Sequence, residues 1–343
     1  MRAACCEPDS IDLSPMSHRL VLLLALSCTA CGPQTPVTVA PIKAVEEATA
    51  VTTVAFTEGP TADDEGNVYF TEIMNQRILL MAPSGVVSVF REPSNAANGL
   101  IIDAQGRLVA CEGAAIKGNA VHGKSHLAAT AVLKPRVTRT DLKTNKVEVL
   151  ADGFEGKPFV GPNDVTYDSA GRLYFTDLTG GAVYRIDVNG KLTRLLTTPE
   201  VQRPNGISIA PDDKTLYLVE ANGAPNGARL IRAYDLQPDG SLKNMRVHYN
   251  FYPGRSADGL CMDTQGNLYA AAGLHQRRGT SETLDTKSGI HVIAPDGKLS
   301  RFIAVPEDTI TNCTFGGPDW KTLYITAGKG LYSFPNEIAG TRR

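Results

Sequence analysis

The sequence predicts an all-β chain folded as a six-bladed β-propeller with four-stranded antiparallel blades. Three observations predict it. A pattern of a polar residue, a short apolar strand, a polar turn and a second strand reading Leu/Val-Tyr/Val recurs six times. The composition is turn-rich, with 32 Gly and 21 Pro in 343 residues, and no long amphipathic helical pattern follows residue 50. A chain of this length also exceeds one ordinary core unless it is built from repeats.

The first 35 residues stand outside that fold. Ser17-His18-Arg19 is a short basic region and Leu20 to Leu26 reads LVLLLAL. The run is far shorter than the roughly 20 apolar residues needed to span a bilayer, and small residues follow it from Ser27 to Ala30. This is the layout of a secretory signal peptide with Met16 as its start, since Met1 to Pro15 carries acidic residues ahead of the basic region. Cys31, between Ala30 and Gly32, resembles the lipid-modified cysteine of a bacterial lipoprotein, although Cys28 stands where Leu is usual. A plain cleaved signal is the alternative. Residues 36–50, rich in Pro, Thr and Ala, read as a tether. The expected division is leader 1–35, tether 36–50, propeller 51–336 and tail 337–343. The expected location is outside the cytoplasm, periplasmic or lipid-anchored, with no other membrane association.

The six copies then follow in order. Their leading residues are Glu58, Asn98, Asn163, Asn205, Asp258 and Asn312. From each to its aromatic or Val position (Tyr69, Val109, Tyr174, Tyr217, Tyr269, Tyr324) the spacing is 11 or 12 residues. Further strands, such as Ala182 to Ile186 and Leu192 to Leu196, complete four-stranded blades. Asn189-Gly190, Asp239-Gly240 and Asp296-Gly297 mark hairpins in blades three, four and five. Blade six ends after a third strand at Leu331 to Phe334. Val51 to Phe56 is therefore expected to close the ring and cover the exposed edge. Two long inserts, Glu112 to Pro135 and Gly273 to Gly289, follow the second strands of blades two and five, as a lid or as plain surface loops.

Charge and cysteine usage narrow the function. A net charge of −2 excludes a phosphate-binding face of the kind nucleic acid requires. Four of the seven cysteines lie in the leader; Cys111, Cys261 and Cys313 are too few and too scattered for a disulfide framework and read as buried thiols.

Inner strands of a propeller surround its axis, so the six leading side chains are expected to converge there. Two carboxylates and four carboxamides offer oxygen donors without His or Cys. That set suits a hard cation, and calcium tolerates irregular oxygen shells better than magnesium. Asn-Gly and Asp-Gly pairs are also ordinary turn signals; the shared repeat position of all six favours the ring.

Glu58-Gly59-Pro60, Pro162-Asn163-Asp164-Val165, Pro204-Asn205-Gly206-Ile207, Asp258-Gly259-Leu260 and Phe315-Gly316-Gly317 resemble the senescence-marker-protein/gluconolactonase family, to which regucalcin and diisopropyl fluorophosphatase are related. Phe90 to Leu100 with Val109 to Glu112, and Glu155-Gly156-Lys157, resemble its bacterial gluconolactonase branch. The resemblance covers about residues 52–334. It implies one calcium, or another divalent cation, held by Glu58, Asn163, Asn205 and Asp258, and hydrolysis of a small lactone with Asp258 as base. Asn98, Asn312, Asp164, Lys157 and Glu112 are then the candidates for contact with substrate. The chain departs from the family at Gly161, where animal members carry Arg, and at Leu178 to Gly181, where the bacterial branch often carries Pro-Pro-Tyr-Gly. Related sites hydrolyse phosphotriesters or aryl esters, and a non-enzymatic propeller with a calcium plug is a further alternative. His122, His126 and His275 lie in the inserts and read as surface residues before lid residues.

Overall fold

The computed structural model describes residues 47–53, 56–113 and 133–343. The expected leader with Cys31, most of the tether, and His122 and His126 lie outside the described residues. Six four-stranded antiparallel sheets follow one another along the chain, which is the propeller the repeat predicts. The inner strands are Thr57–Ala62, Leu100–Ile102, Pro162–Tyr167, Pro204–Ile209, Ala257–Met262 and Ile310–Gly316. Among the described residues no helix is long and apolar enough to cross a membrane.

One device repeats at the turn after four of the inner strands. Asp63, Asp103, Asp168 and Asp263 each accept backbone N–H bonds from the turn that follows, at 2.8–3.0 Å. Their second oxygens take a side chain at the start of the next strand: Asn67, Arg107, Arg172 and Asn267. Each turn bends through a Gly with positive φ, such as Gly66 at 83° and Gly171 at 79°, which only glycine adopts at little cost. The sequence signal of a polar turn with Gly therefore reports a self-capped hairpin.

The core is a set of wedges between successive blades. Tyr69, Ile78, Leu100 and Leu108 fill the first wedge, Val109, Phe159, Phe175 and Tyr184 the second, and Tyr174, Ile207 and Leu218 the third. Inner strands are buried along their length, as in Thr57–Ala62, whereas outermost strands such as Val147–Ala151 are largely exposed. Cys111, Cys261 and Cys313 are buried free thiols, and burial pushes Cys111 and Cys261 well above the usual thiol range.

The ring is closed by a strand from the N-terminal side. Thr49–Thr53 pairs antiparallel with Gly330–Pro335 of blade six. The strand expected over Val51 to Phe56 begins two residues earlier: described pairing runs from Thr49↔Ser333 to Thr53↔Gly330. Residues Ile338 to Arg343 cross the face where the inner strands end. Gly340 N–H donates to Trp320 O (2.8 Å), Thr341 N–H to Met262 O (2.9 Å), and Tyr167 Oη–H to Arg342 O (2.8 Å).

Candidate active site

Each inner strand begins at one face of the propeller, and its leading residue lies at or beside that beginning. In blades one, three, four, five and six a register irregularity falls at this point, for example between Glu58 and Thr61 and between Ala257 and Leu260. A bulge leaves a residue outside the ladder and re-aims its side chain. Here it leaves Asn163, Asn205 and Asp258 outside the ladder, whereas Glu58 and Asn312 stay paired with Thr71 and Thr326 at its edge.

Small residues beside the ring allow the inner strands to approach one another. A Cβ on Gly99 would fall inside the carboxylate of Asp164, and one on Gly259 would fall inside the carboxamide of Asn312. The Asn-Gly and Asp-Gly pairs at ring positions, Asn98-Gly99, Asn205-Gly206 and Asp258-Gly259, thus lie in or beside strands rather than in hairpin turns; their glycines make room for the neighbouring blade. Threonines of the second strands fix the ring backbone. Thr71 donates to Asn98 O (3.0 Å); Thr176 donates to Asn205 O (2.8 Å) and accepts from Asp164 N–H (3.1 Å).

Glu58, Asn98, Asn163, Asn205 and Asn312 are buried, and the Asp258 side chain keeps 16% exposure, which leaves it within reach of a small molecule. Asn205 Nδ2 donates to Asp258 Oδ1 (2.6 Å). Asn312 Nδ2 donates to both oxygens of Asp164 (3.0 and 2.9 Å) and its Oδ1 accepts from Cys313 N–H (2.8 Å). Asn98 Oδ1 and Asn205 Oδ1 are buried without a hydrogen-bond partner. A buried carbonyl oxygen left in that state is costly unless a donor or cation meets it.

The carboxylates here are short of positive charge. Burial, then Asp258 and Asp164, hold Glu58 well above the usual carboxylate range. Burial and then Asp258 push Asp164 up to about 7, against the pull of Asn312. Asp258 is also raised by burial, although Arg255 and Asn205 counter it. In the chain by itself, desolvation of Asp258 outweighs its partners.

Whether these residues suit a cation turns on their chemistry. Among the described residues no three His, Cys, Asp or Glu side chains form a metal cluster. A site here would instead mix carboxylates with carboxamides. The two orphaned amide oxygens and the mutually opposed carboxylates fit a hard divalent ion of low geometric demand.

Two sequence candidates have other occupations. Glu112 is fully buried and accepts from Arg91 (2.5 Å), Thr138 (2.6 Å) and Arg136 (2.7 Å). It clamps the loops around blade two, as Asp177 does through Val160, Gly161 and Gly180 N–H groups. A Cβ on Gly180 would fall inside the Asp177 carboxylate, which accounts for glycine there. The Lys157 side chain is exposed on a two-stranded ribbon, Gly153–Phe154 with Lys157–Pro158. His275 contacts Val305 O through its ring (2.9 Å), so it anchors the blade-five insert.

Sequence reasoning missed Arg255. It is buried, its Nη2 lies 2.6 Å from Asp258 Oδ2 and its Nη1 donates to Ile310 O (2.9 Å). It stands three residues before Asp258 in a loop with no repeat signature, so nothing in the periodicity marks it.

The family description SMP-30/Gluconolactonase/LRE-like region matches residues 56–329. The chain belongs to this family. A gluconolactonase of Zymomonas mobilis is 29% identical over 304 residues, covering 81% of this chain and 78% of that protein. A pentonolactonase of Haloferax volcanii is 27% identical over 174 residues, covering 49% and 53%. Among solved structures, a gluconolactonase from Xanthomonas campestris superposes with a TM-score of 0.67 at 26% identity, covering 83% and 88%. Family membership supports a hydrolytic function of the gluconolactonase/regucalcin type.

Proposed function

We propose that the protein is an exported calcium-dependent hydrolase that opens a small lactone at the axial ring. The observation that carries this reading is the pair of orphaned carboxamide oxygens, Asn98 Oδ1 and Asn205 Oδ1, beside the buried carboxylates of Glu58 and Asp164 and the part-buried one of Asp258. The gluconolactonase and pentonolactonase relatives support the substrate class.

Glu58, Asn163, Asn205 and Asp258 would hold the ion, which when bound supplies Lewis-acid polarisation of the lactone carbonyl. Asp258, the accessible carboxylate, takes a proton from the attacking water as the water oxygen bonds to the carbonyl carbon. The ring C–O bond then breaks, and its oxygen leaves as a hydroxyl after receiving that proton. Asn205 holds Asp258 through Oδ1 and Arg255 through Oδ2, which fixes the orientation of the base. Asn98, Asn312 and Asp164 line the same enclosure and bind or orient the substrate hydroxyls.

The test is acid release from glucono-1,5-lactone in a pH-stat, with calcium and with chelator, on wild type and Asp258→Asn. We expect activity to need calcium and to fall at least about a hundredfold in the variant, within the usual range for loss of a general base. Full activity in chelator, or in a folded and calcium-bound Asp258→Asn protein, refutes the mechanism. Export is checked separately by the N-terminal mass of protein from the cell envelope, expected to begin at or near Cys31.

A further inference from the structure

Four segments share the face on which the axial ring opens: the approach to Asn205, the approach to Asp258, the blade-five insert and the approach to Asn312. Antiparallel topology puts them there, because inner strands leave this face and second strands return to it. These segments carry Arg203, Arg255, Arg278 and the exposed Arg277.

Elsewhere on that face guanidinium groups are matched. Arg77 pairs with Glu72, Arg91 and Arg136 with Glu112, and Arg232 with Glu220. Arg229 is buried, and its guanidinium is taken up by the carbonyls of Asn222, Ala224 and Pro253 and by Ser281. The blade-five side differs. Arg255 and Arg278 both grip the segment Asp308 to Ile310: Arg255 through Ile310 O, Arg278 through Thr309 Oγ1 with Asp308 only at 3.8 Å. Two like charges are thereby held on one three-residue stretch, and each weakens the other. Arg278 sits below the usual arginine range, through burial first and Arg255 second. Arg203 and Arg277 have no carboxylate partner among the described residues, and the field of Arg203 reaches Asp258.

A guanidinium has five N–H donors in a planar fork, and Arg255 uses one on Asp258 and one on Ile310 O. If a divalent cation takes up the charge of Asp258, the arginines around it become surplus positive charge. A purely structural pair would be better served by full neutralisation. We infer that Arg255 and Arg278, assisted by Arg203, form an anion-binding subsite at the mouth of the axial ring, so that the preferred lactone carries a second, anionic group such as a carboxylate or a phosphate ester. This rests on the lactonase reading for its chemistry, but not for the binding of the anion.

The experiment compares neutral glucono-1,5-lactone with 6-phosphogluconolactone and with glucarolactone, on wild type, Arg278→Gln and Arg203→Gln. Calorimetry of 6-phosphogluconate, glucarate and gluconate, with and without calcium, gives a readout free of turnover. We expect the charged lactones to exceed the neutral one in kcat/KM by about tenfold or more, and Arg278→Gln to reduce that ratio about tenfold, as loss of a charge-assisted contact does. 6-Phosphogluconate or glucarate should bind more tightly than gluconate, and whichever binds tighter identifies phosphate or carboxylate as the anion. Should Arg278→Gln fail to fold, Arg203→Gln gives the same reading, with a smaller loss. Equal kcat/KM for neutral and charged lactones, or ratios and affinities unmoved in both variants, overturns the subsite and leaves the lactonase reading intact. Anion binding that depends on Arg278, with no turnover of any lactone, supports the subsite and refutes the lactonase reading.

Discussion

Asp164 offers a direct measure of how far the ring is charged in the chain by itself. Its pKa is pushed from 3.8 to about 7 by burial and by Asp258, so between these values the folded chain holds a proton that the unfolded chain has released. Stability must then fall as pH rises through the window. From pH 5 to 8 the loss is on the order of 2–3 kcal/mol for this group alone, at about 1.4 kcal/mol per pH unit up to its folded pKa. With unfolding entropy near 2 cal/mol/K per residue, a propeller of roughly 290 residues loses about 4–5 °C in Tm. Glu58 and Asp258, also raised, act in the same direction. His248 and His291, held low by burial, act in the opposite direction up to about pH 6.5, but calcium does not touch them. The readout is therefore the difference between calcium-free and calcium-loaded melts. The calcium-free Tm should fall relative to the loaded one as pH rises, because a bound cation stabilises the ionised carboxylates. Asp164→Asn should raise the calcium-free Tm at pH 8 by about 4 °C, since an amide oxygen can still accept from Asn312 without carrying charge. Parallel pH profiles with and without calcium, or a calcium-free Asp164→Asn protein that melts below wild type at pH 8, would refute the account of the ring as a nest of under-compensated carboxylates.

Other expectations follow from the same geometry. Gly259→Ala drives a methyl into the Asn312 carboxamide and should cost about 2–3 kcal/mol in urea unfolding, whereas Gly279→Ala, with open space around it, should stay within about 0.5 kcal/mol. Glu112→Gln leaves two arginines around a neutral amide in a buried setting and should destabilise by about 3 kcal/mol, read from the same curves. Saturating calcium at about 100 times its Kd should add about 2.7 kcal/mol to stability; chelator should remove that increment from wild type and find little to remove in Glu58→Gln. Deleting residues 47–53 strips the strand from Gly330–Pro335 and should produce oligomers by edge pairing, visible as a shift to larger species in light scattering.

The blades were legible because their signals are local. Four of the six hairpins after the inner strands carry their own Asp, Gly and polar partner within about five residues, as at Asp168-Ser169-Ala170-Gly171-Arg172. The sixfold repeat singles out Asn205 and Asp258, and the structure joins them by a hydrogen bond. What escaped belongs to contacts between blades. The occupation of Glu112 depends on Arg91 and Arg136, which are 21 and 24 residues away. The pairing of Arg255 with Asp258 depends on a loop whose path no period dictates. The closing strand begins two residues before the β-branched run at Val51, because its register is set by Gly330–Pro335.

The pairing of Thr49–Thr53 with Gly330–Pro335 also bears on how the chain is made. The first strand synthesised waits for the last, so the longest-range contact of the molecule closes late, with the loop entropy that such a contact entails. A nascent chain still lacking residue 330 has several finished blades but an open circle, and its axial donors face water. The axial enclosure should therefore be completed only when Thr49–Thr53 meets Gly330–Pro335.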